Sequence, residues 1–265
     1  MFSIQEYRFA ESLDEALALL DASKRNRIIG GGMWLRLGRL SIKTAIDLSR
    51  LDMGGVRETE DEVIIGAMAT LRDVETAPCL QSLFGGALPA SVSPIVGVQF
   101  RNMATVGASV YSRYGFSDIL TALLALDARV ELHRAGSMAL EDFLRNPPEK
   151  RDILTAVRIR KDGRRAAYQT FRRTQTDFGV LNVCVSVADD GEYRVSVGGR
   201  PRRAARCPEA ELLLAALDAP GAAAIAAEKL DYGSNLRGGA DYRRNLARVL
   251  TLRAWEQLKE GGPCD

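Results

Sequence analysis

The chain has 265 residues, with 36 basic and 34 acidic side chains and an apolar fraction of 46%. Such a chain can bury the core of one or two domains, and its composition is that of an ordinary globular protein. The net charge of +2 gives no reason to expect a nucleic-acid partner. The single histidine, His133, disfavours Ser-His-Asp hydrolysis and most metal sites, because both usually need imidazole.

The sequence has no signature of a membrane or of an oxidising compartment. No run reaches the ~20 apolar residues of a transmembrane helix, so we expect no membrane span. The first residues lack the basic and then apolar pattern of a secretion signal. The cysteines form no CxxC pair, which disfavours iron–sulfur and structural zinc sites; they are Cys79, Cys184, Cys207 and Cys264. These patterns predict a cytoplasmic protein with reduced thiols.

The first half of the chain mixes strand and helix patterns. A strand near Tyr7, a helix capped by Ser12 with Glu15 at its third position, and strands at 27–29 and 45–48 predict a βαβ unit. A further strand is predicted at 62–66, with helices at 70–74 and 83–92. Strands at 130–133 and 154–159 are predicted to form a second, largely antiparallel sheet. Strand and helix do not alternate strictly, so the predicted fold class is α+β rather than doubly wound.

The composition changes near residues 161–163, which predicts two domains, 1–162 and 163–265. Beyond the change, strand patterns occur at 168–171, 180–187 and 193–197. Helical patterns follow at 209–217, 222–230 and 242–258. The simplest assembly is a three-stranded antiparallel sheet backed by a helical bundle.

Three consecutive glycines close the predicted strand at 27–29. Gly30, Gly31 and Gly32 allow a sharp turn that brings backbone N–H groups close to a ligand. The spacing is neither the GxGxxG of a dinucleotide fold nor the GxxxxGK[ST] of a P-loop. By itself, such a triplet is typical of a plain turn more often than of a phosphate site.

A second loop of small residues runs from Thr105 to Ser109, and Asp118 follows at the start of an apolar helical run. Small residues let the backbone approach a bulky anion, whose oxygens are then satisfied by N–H groups and hydroxyls. A carboxylate accepts hydrogen bonds and repels phosphate, so Asp118 suits a sugar hydroxyl better. An acid favoured by the start of a helix is the alternative interpretation of Asp118.

The stretch from Gln99 to Leu132 resembles the FAD-binding subunit of the molybdenum hydroxylases, the family of xanthine dehydrogenase and carbon monoxide dehydrogenase. The family motif RNxATxGGN, followed by Ser-Asp or Ala-Asp and LLPALLALDA, is matched in register by Arg101, Asn102, Ala104, Thr105, Gly107 and Asp118. Residues 236–244 also resemble the family's DLRGSAxYRR. The resemblance implies a two-lobed FAD-binding domain of the PCMH type over 1–162 and the family's C-terminal domain over 163–265.

The resemblance further implies that FAD is held between the two loops. Thr105 would donate to a phosphate oxygen, and Asp118 would accept from a ribityl hydroxyl. Leu154 would pack on the adenine, Ile95 would lie beside the flavin ring, and Arg172 would reach the edge of that ring. The other residues assigned to the cofactor are Ile29, Gly30, Gly31, Gly32, Met33, Trp34, Leu35, Gly107, Ala108 and Ser109.

The chain departs from the family pattern at both loops. Met33 and Trp34 replace a hydroxyl and an acid, and Ala108-Ser109 replaces Gly-Asn. Ile95 replaces a frequent aromatic residue. These departures leave open a flavin-free scaffold subunit of the same kind of complex. A stand-alone flavin oxidoreductase of the same fold is a further alternative.

The function implied by the resemblance is electron transfer within a molybdenum hydroxylase complex. FAD would take electrons from [2Fe–2S] clusters on a small partner subunit and pass them to an acceptor such as NAD. Molybdopterin would belong to a large partner subunit, which gives a heterotrimer. The isolated chain is then expected to hydroxylate nothing.

Overall fold

The computed structural model describes residues 2–261, which form three β-sheets with helices packed between and behind them. Met1 and residues 262–265, with Cys264, lie outside the described residues. The strands are β1 (Ser3–Phe9), β2 (Arg27–Ile29), β3 (Ser41–Asp47), β4 (Val56–Glu58), β5 (Glu62–Gly66), β6 (Arg129–Leu132), β7 (Gly136–Ala139), β8 (Leu154–Arg160), β9 (Arg165–Phe171), β10 (Leu181–Val187), β11 (Tyr193–Gly198) and β12 (Ala205–Arg206). This mixture confirms the α+β prediction.

The helices are short in the first half of the chain and longer near its end. They are α1 (Leu13–Ala22), α2 (Leu71–Thr76), α3 (Pro78–Ser82), α4 (Ala87–Val92), α5 (Val98–Arg101), α6 (Val106–Tyr111), α7 (Asp118–Ala125), α8 (Leu140–Arg145), α9 (Pro208–Ala215), α10 (Ala219–Lys229) and α11 (Ala240–Glu260). Two 3-10 helices cover Trp34–Leu37 and Leu83–Gly86. No helix in the described part of the chain combines the length and the apolar character needed to cross a membrane.

The first sheet is parallel, in the order β1-β3-β2, and α1 connects β1 to β2. Ser12 caps α1, because its Oγ accepts from the Glu15 backbone N–H at 3.1 Å. Glu15 in turn reaches back, since its Oε2 accepts from the Glu11 N–H at 2.8 Å. Both bonds satisfy N–H groups near the helix start that have no intrahelical partner. The predicted βαβ unit and its cap are confirmed.

The second sheet is antiparallel, in the order β4-β5-β8-β6-β7. The three predicted strands form its centre as β5, β6 and β8. The edge strands β4 and β7 were not predicted, because three or four residues are too few to show a clear alternation.

The predicted helix at 83–92 is wrong at its start. Phe84, Gly85 and Gly86 have positive φ within the 3-10 turn, and the α-helix begins only at Ala87. A Cβ on Gly85 would stand 2.5 Å from the carbonyl oxygen of Ala166 in β9. Close packing of this turn against a strand of the C-terminal sheet therefore takes precedence over helical propensity.

The third sheet is antiparallel, in the order β12-β11-β10-β9. The three predicted strands are present, and the two-residue β12 adds a fourth strand by pairing with β11. The predicted helices are present as α9, α10 and α11. Arg243 of α11 is fully buried, and its guanidinium donates to the carbonyls of Val180, Gly233 and Gly238 and to Asn235 Oδ1. The motif at 236–244 thus ties α11 to the edge of this sheet.

Helix α7 lies between the third sheet, where it contacts β10, β11 and β12, and the helices α4, α6 and α8. All of its residues, Asp118 to Ala125, are buried. Two serines of the third sheet donate to its carbonyl oxygens: Ser186 Oγ to Ala125 at 2.5 Å and Ser196 Oγ to Thr121 at 2.6 Å. A helix with this apolar sequence needs neighbours on every side, and here both halves of the chain supply them.

Candidate functional site

The two glycine-containing loops are in direct contact, although about 75 residues separate them. A Cβ on Gly30 would collide with the hydroxyl of Thr105. A Cβ on Gly31 would collide with the carbonyl oxygen of Met103, and Gly31 also has a φ of +68°. Only glycine permits this approach, so the triplet is more than a plain turn.

The second loop is held in place by the end of β5. The N–H groups of Val106 and Gly107 donate to the carbonyls of Ala69 and Ala67, each at 2.8 Å. A Cβ on Gly107 would stand 2.7 Å from the Ala67 carbonyl oxygen, which again requires glycine. Thr105 then caps α6, because its Oγ1 accepts from the Ala108 N–H at 3.3 Å. Ala108 is in the helix with negative φ, so its methyl group introduces no backbone strain.

The loops form one wall of a cleft of about 690 Å³. This volume lies within the range of cofactor and small-molecule sites. Nine of the residues assigned to the cofactor line it: Gly30, Gly32, Met33, Trp34, Leu35, Thr105, Gly107, Ala108 and Leu154. Most of the residues that the sequence assigned to the cofactor therefore line one cavity.

Six of the assigned residues do not line this cleft: Ile29, Gly31, Ile95, Ser109, Asp118 and Arg172. Ile29 packs with Ile42 and Ala45 beneath the first loop. Ile95 is buried, and its carbonyl accepts from Arg101 Nη1 at 3.0 Å. For Ile95, the structure shows a core position.

Asp118 and Arg172 are together, but they are buried away from the cleft. Asp118 Oδ1 accepts from Arg172 Nη2 at 2.5 Å, from Asn182 Nδ2 at 2.9 Å and from the Tyr168 hydroxyl at 3.3 Å. Burial raises the pKa of Asp118, while the charge of Arg172 and these hydrogen bonds oppose that rise. The pair anchors the start of α7 to the third sheet. The roles assigned to Asp118 and Arg172 toward the ribityl chain and the ring stay predictions.

Trp34 extends from the first loop into an aromatic cluster. Its ring centroid lies 4.9 Å from that of Phe100, 5.5 Å from that of Phe116 and 6.4 Å from that of Phe178. Its Nε1 donates to Ser109 Oγ at 3.0 Å, which joins the two loops a second time. Phe116 and Phe178 are also in contact, with centroids 4.6 Å apart. The indole that replaces a small polar residue is thus fully accommodated.

The opposite end of the cleft is polar, and the sequence did not point to it except through Leu154. Asp152 accepts from the N–H groups of Arg134, Ala135 and Ile153 at 2.7 to 2.9 Å. Arg151 donates to the carbonyls of Leu20, Ser23 and Asn26 at the end of α1. These contacts cross between distant segments, so no local pattern signals them. The Arg151 contacts tie the segment before β8 to the end of α1, and the Asp152 contacts tie it to the β6–β7 turn.

The residues present fit a dinucleotide such as FAD. Two backbone bends without bulky side chains adjoin the same cavity, where the N–H groups of the first loop and the Thr105 hydroxyl of the second suit a diphosphate. The Ser112 hydroxyl, on the cleft wall, is buried without a hydrogen-bond partner among the described residues. Such an orphaned group is a natural contact for a ligand oxygen or nitrogen. Trp34 and Leu154 offer apolar surfaces for flat rings.

Comparison with known proteins agrees with this fit. Residues 2–161 match the family described as the FAD binding domain in molybdopterin dehydrogenase, and residues 166–258 match the CO dehydrogenase flavoprotein C-terminal domain. The chain is 29% identical to the nicotine 6-hydroxylase medium subunit of Paenarthrobacter nicotinovorans, over 93% of this chain and 94% of that protein. It is 26% identical to the glyceraldehyde dehydrogenase medium chain of Sulfolobus acidocaldarius, over 95% and 97%.

The fold is also that of a solved relative. The structure superimposes on a chain of the cyanide-inactivated Cu,Mo-CO dehydrogenase with a TM-score of 0.87 and 24% identity, covering 99% of this chain and 100% of the other. At this identity the likeness shows the fold alone, whereas the two family matches together span nearly the whole sequence. The chain therefore belongs to the family of FAD-binding subunits of the molybdenum hydroxylases.

Proposed function

We propose that this chain carries FAD in the cleft between residues 30–35 and 105–109 and works as the electron-transfer subunit of a molybdenum hydroxylase complex. The observation that carries the proposal is the interlocking of the two loops, in which Gly30 and Gly31 pack directly on Thr105 and Met103. When bound, FAD supplies a centre that can accept electrons one at a time and release two together.

The chain's own residues have separable tasks in this proposal. Backbone N–H groups of the first loop, with the Thr105 hydroxyl of the second, hold the diphosphate without a basic side chain. Leu154 supports the adenine at the polar end of the cleft. Trp34, together with Met33 and Leu35, excludes water from the other end. Asp118 and Arg172 fix the segment that approaches the ring.

The other redox centres are placed on partner subunits. The described residues contain no group of three or more His, Cys, Asp or Glu side chains arranged to hold a metal ion. Relatives are named medium chain or medium subunit, which supports an assembly of several chains. We propose a small [2Fe–2S] subunit, a large molybdopterin subunit and a cytoplasmic heterotrimer, with NAD as an acceptor.

The test is the absorption spectrum of the purified full chain, followed by titration with FAD. A flavin spectrum with about one FAD per chain is the expected result. A colourless protein that also fails to bind added FAD would contradict the proposal. Co-expression with candidate partner genes then tests the assembly, since a stable complex should retain iron and molybdenum on the other chains.

A flavin-free scaffold subunit is the second candidate, and one observation favours it. Trp34 packs against Phe178, which lies in the same segment as Arg172. The indole therefore takes up space beside residues that the family resemblance assigns to the flavin ring. If the scaffold function is correct, the complex should assemble with metal centres but without FAD on this chain.

A further inference from the structure

A second cleft, of about 430 Å³, lies where α8 meets the loop that precedes β12. Arginines dominate its lining: Arg145, Arg200, Arg202 and Arg203, against the single acid Glu141. Leu124, Leu144 and Pro201 give it an apolar floor. It shares no lining residue with the larger cleft, so it is a separate site.

The acid in this cleft is already neutralised. Glu141 Oε1 lies 2.7 Å from Arg145 Nη2, and Glu141 Oε2 accepts from Arg206 Nη1 at 2.9 Å. One carboxylate thus serves two guanidinium groups, and Arg206 has Glu211 as a further partner. The positive charge of the remaining arginines is left without an acid in the cleft.

Those remaining arginines are positioned by carbonyl groups, which do not cancel charge. Arg200 is 8% exposed and donates to the carbonyls of Arg203 and Asp231 at 3.0 and 2.5 Å. Arg203 Nη1 donates to the Leu144 carbonyl at 3.0 Å. Arg202 is exposed and makes no hydrogen bond or ion pair with the described residues. Burial lowers the pKa of Arg200; Tyr232 and Asp231, outside the cleft lining, oppose this effect, and the Arg202 charge adds to it.

Arg113 adds a fifth guanidinium beside the cleft. Its Nε and Nη1 are buried and have no hydrogen-bond partner among the described residues. The group lies 5.5 Å from the ring centroid of Phe143 in α8, and burial together with the nearby Arg203 lowers its pKa. Two unpaired buried donors on one half-buried guanidinium cost stability, which a ligand that supplies acceptors would restore.

We propose that this arginine cleft binds a small phosphate-bearing molecule. Guanidinium groups recognise phosphate through paired N–H donors, and the surplus of unneutralised arginines matches a dianion. The concave shape and the apolar floor favour a small molecule over a protein surface, because protein interfaces are broad rather than concave. The phosphate site is distinct from the proposed FAD cleft, since the two clefts have no lining residue in common.

The experiment is calorimetric titration of the full chain with inorganic phosphate at low ionic strength. We expect saturable binding with a Kd of about 1 mM or tighter. Arg202→Gln and Arg203→Gln should each weaken it by about tenfold, because a charge-assisted hydrogen bond is lost. The matched control is Arg253→Gln, an exposed arginine of α11, and it should bind phosphate like the wild type.

A second readout separates a ligand site from a structural cluster. Arg113→Met should raise Tm by about 2–4 °C, because two unpaired buried donors are removed, while phosphate binding weakens. If Arg113 were purely structural, its substitution would instead lower the Tm of the protein. Absence of saturable phosphate binding, or equal binding by the Arg202 and Arg203 variants, overturns the proposal. So does binding of a polyglutamate peptide without phosphate binding, because the face would then be a docking surface for an acidic chain.

Discussion

The hydroxyl of Thr105 fills the space in which a side chain on Gly30 would stand. This contact joins the loop that follows β2 to the N-cap of α6. Two segments distant in sequence therefore act as one wall of the cleft. The contact is possible because Gly30 has no side chain. Substitutions that add a side chain to the glycine loop are therefore the direct test of the site.

Gly31→Ala should weaken FAD binding by at least about tenfold, since its Cβ collides with the Met103 carbonyl and forces the loops apart. Gly55→Ala is the matched control. Gly55 has the same positive φ, but nothing lies within 4 Å of its Cβ position. Both variants lose stability because alanine disfavours a left-handed backbone, but only Gly31→Ala moves the cleft wall. Titration followed by flavin fluorescence measures the difference; equal affinities in the two variants would show that the loops do not hold the cofactor.

Trp34 and Trp255 are the two tryptophans of the chain, which makes cofactor binding visible from the protein side. In a Trp255→Phe variant, FAD should quench most of the remaining emission, because Trp34 lines the cleft. In a Trp34→Phe variant, the emission of Trp255 on α11 should change little. Trp34→Ala should weaken FAD about two- to tenfold through loss of ring contact. Tighter binding by Trp34→Ala would instead indicate that the indole obstructs the ring.

Asp118→Asn should lower the free energy of unfolding by about 3–5 kcal/mol, because Arg172 is left buried without its counter-charge. Asp241→Asn is the control, since Asp241 pairs with Arg244 on the surface of α11 and its side chain is 93% exposed. Urea denaturation measures both. Recovery of stability in the double variant Asp118→Asn/Arg172→Met would confirm that the pair, and not the carboxylate alone, is responsible.

Glu75 predicts a pH dependence of stability. Burial opposes its charged form, but hydrogen bonds from Arg101 and Arg72 and their charges outweigh this, so its pKa is lowered from 4.5. A lowered folded-state pKa contributes stability above the unfolded-state value, and this stability is lost as pH falls through the folded-state value. Glu75→Gln should therefore show a shallower loss of stability below pH 4.5 than the wild type. Glu60→Gln, at an exposed position, should follow the wild-type curve.

The sequence predicted those features that depend on local patterns or on a motif. Ser12 and Glu15 specify a helix start by themselves. Gly107 is recognisable from the family motif, and the structure gives the reason for glycine there, since no larger residue fits against Ala67. The turn at Phe84 escaped prediction, since its cause is the distant carbonyl of Ala166. Asp152 escaped for the same reason, because its N–H partners come from another strand connection.

Arg101 shows what a motif match alone leaves open. Within the RNxAT motif it reads as a cofactor signature, yet its guanidinium pairs with Glu75 at 2.7 and 2.8 Å and donates to the Ile95 carbonyl. It shapes the loop that precedes Thr105 without lining the cleft. The motif identified Arg101 as a family residue. Only the three-dimensional contacts show that it shapes the loop before Thr105.

The burial of α7 against the third sheet bears on how such subunits can be recombined. Ser186 and Ser196, which donate to carbonyls of this helix, lie on strands more than sixty residues after their acceptors. A chimera joined near residue 163 would combine α7 of one relative with the third sheet of another. The serines at positions 186 and 196 would then come from a different protein than the helix to which they donate. Grafting a foreign C-terminal half should therefore succeed only when α7 is transplanted with it.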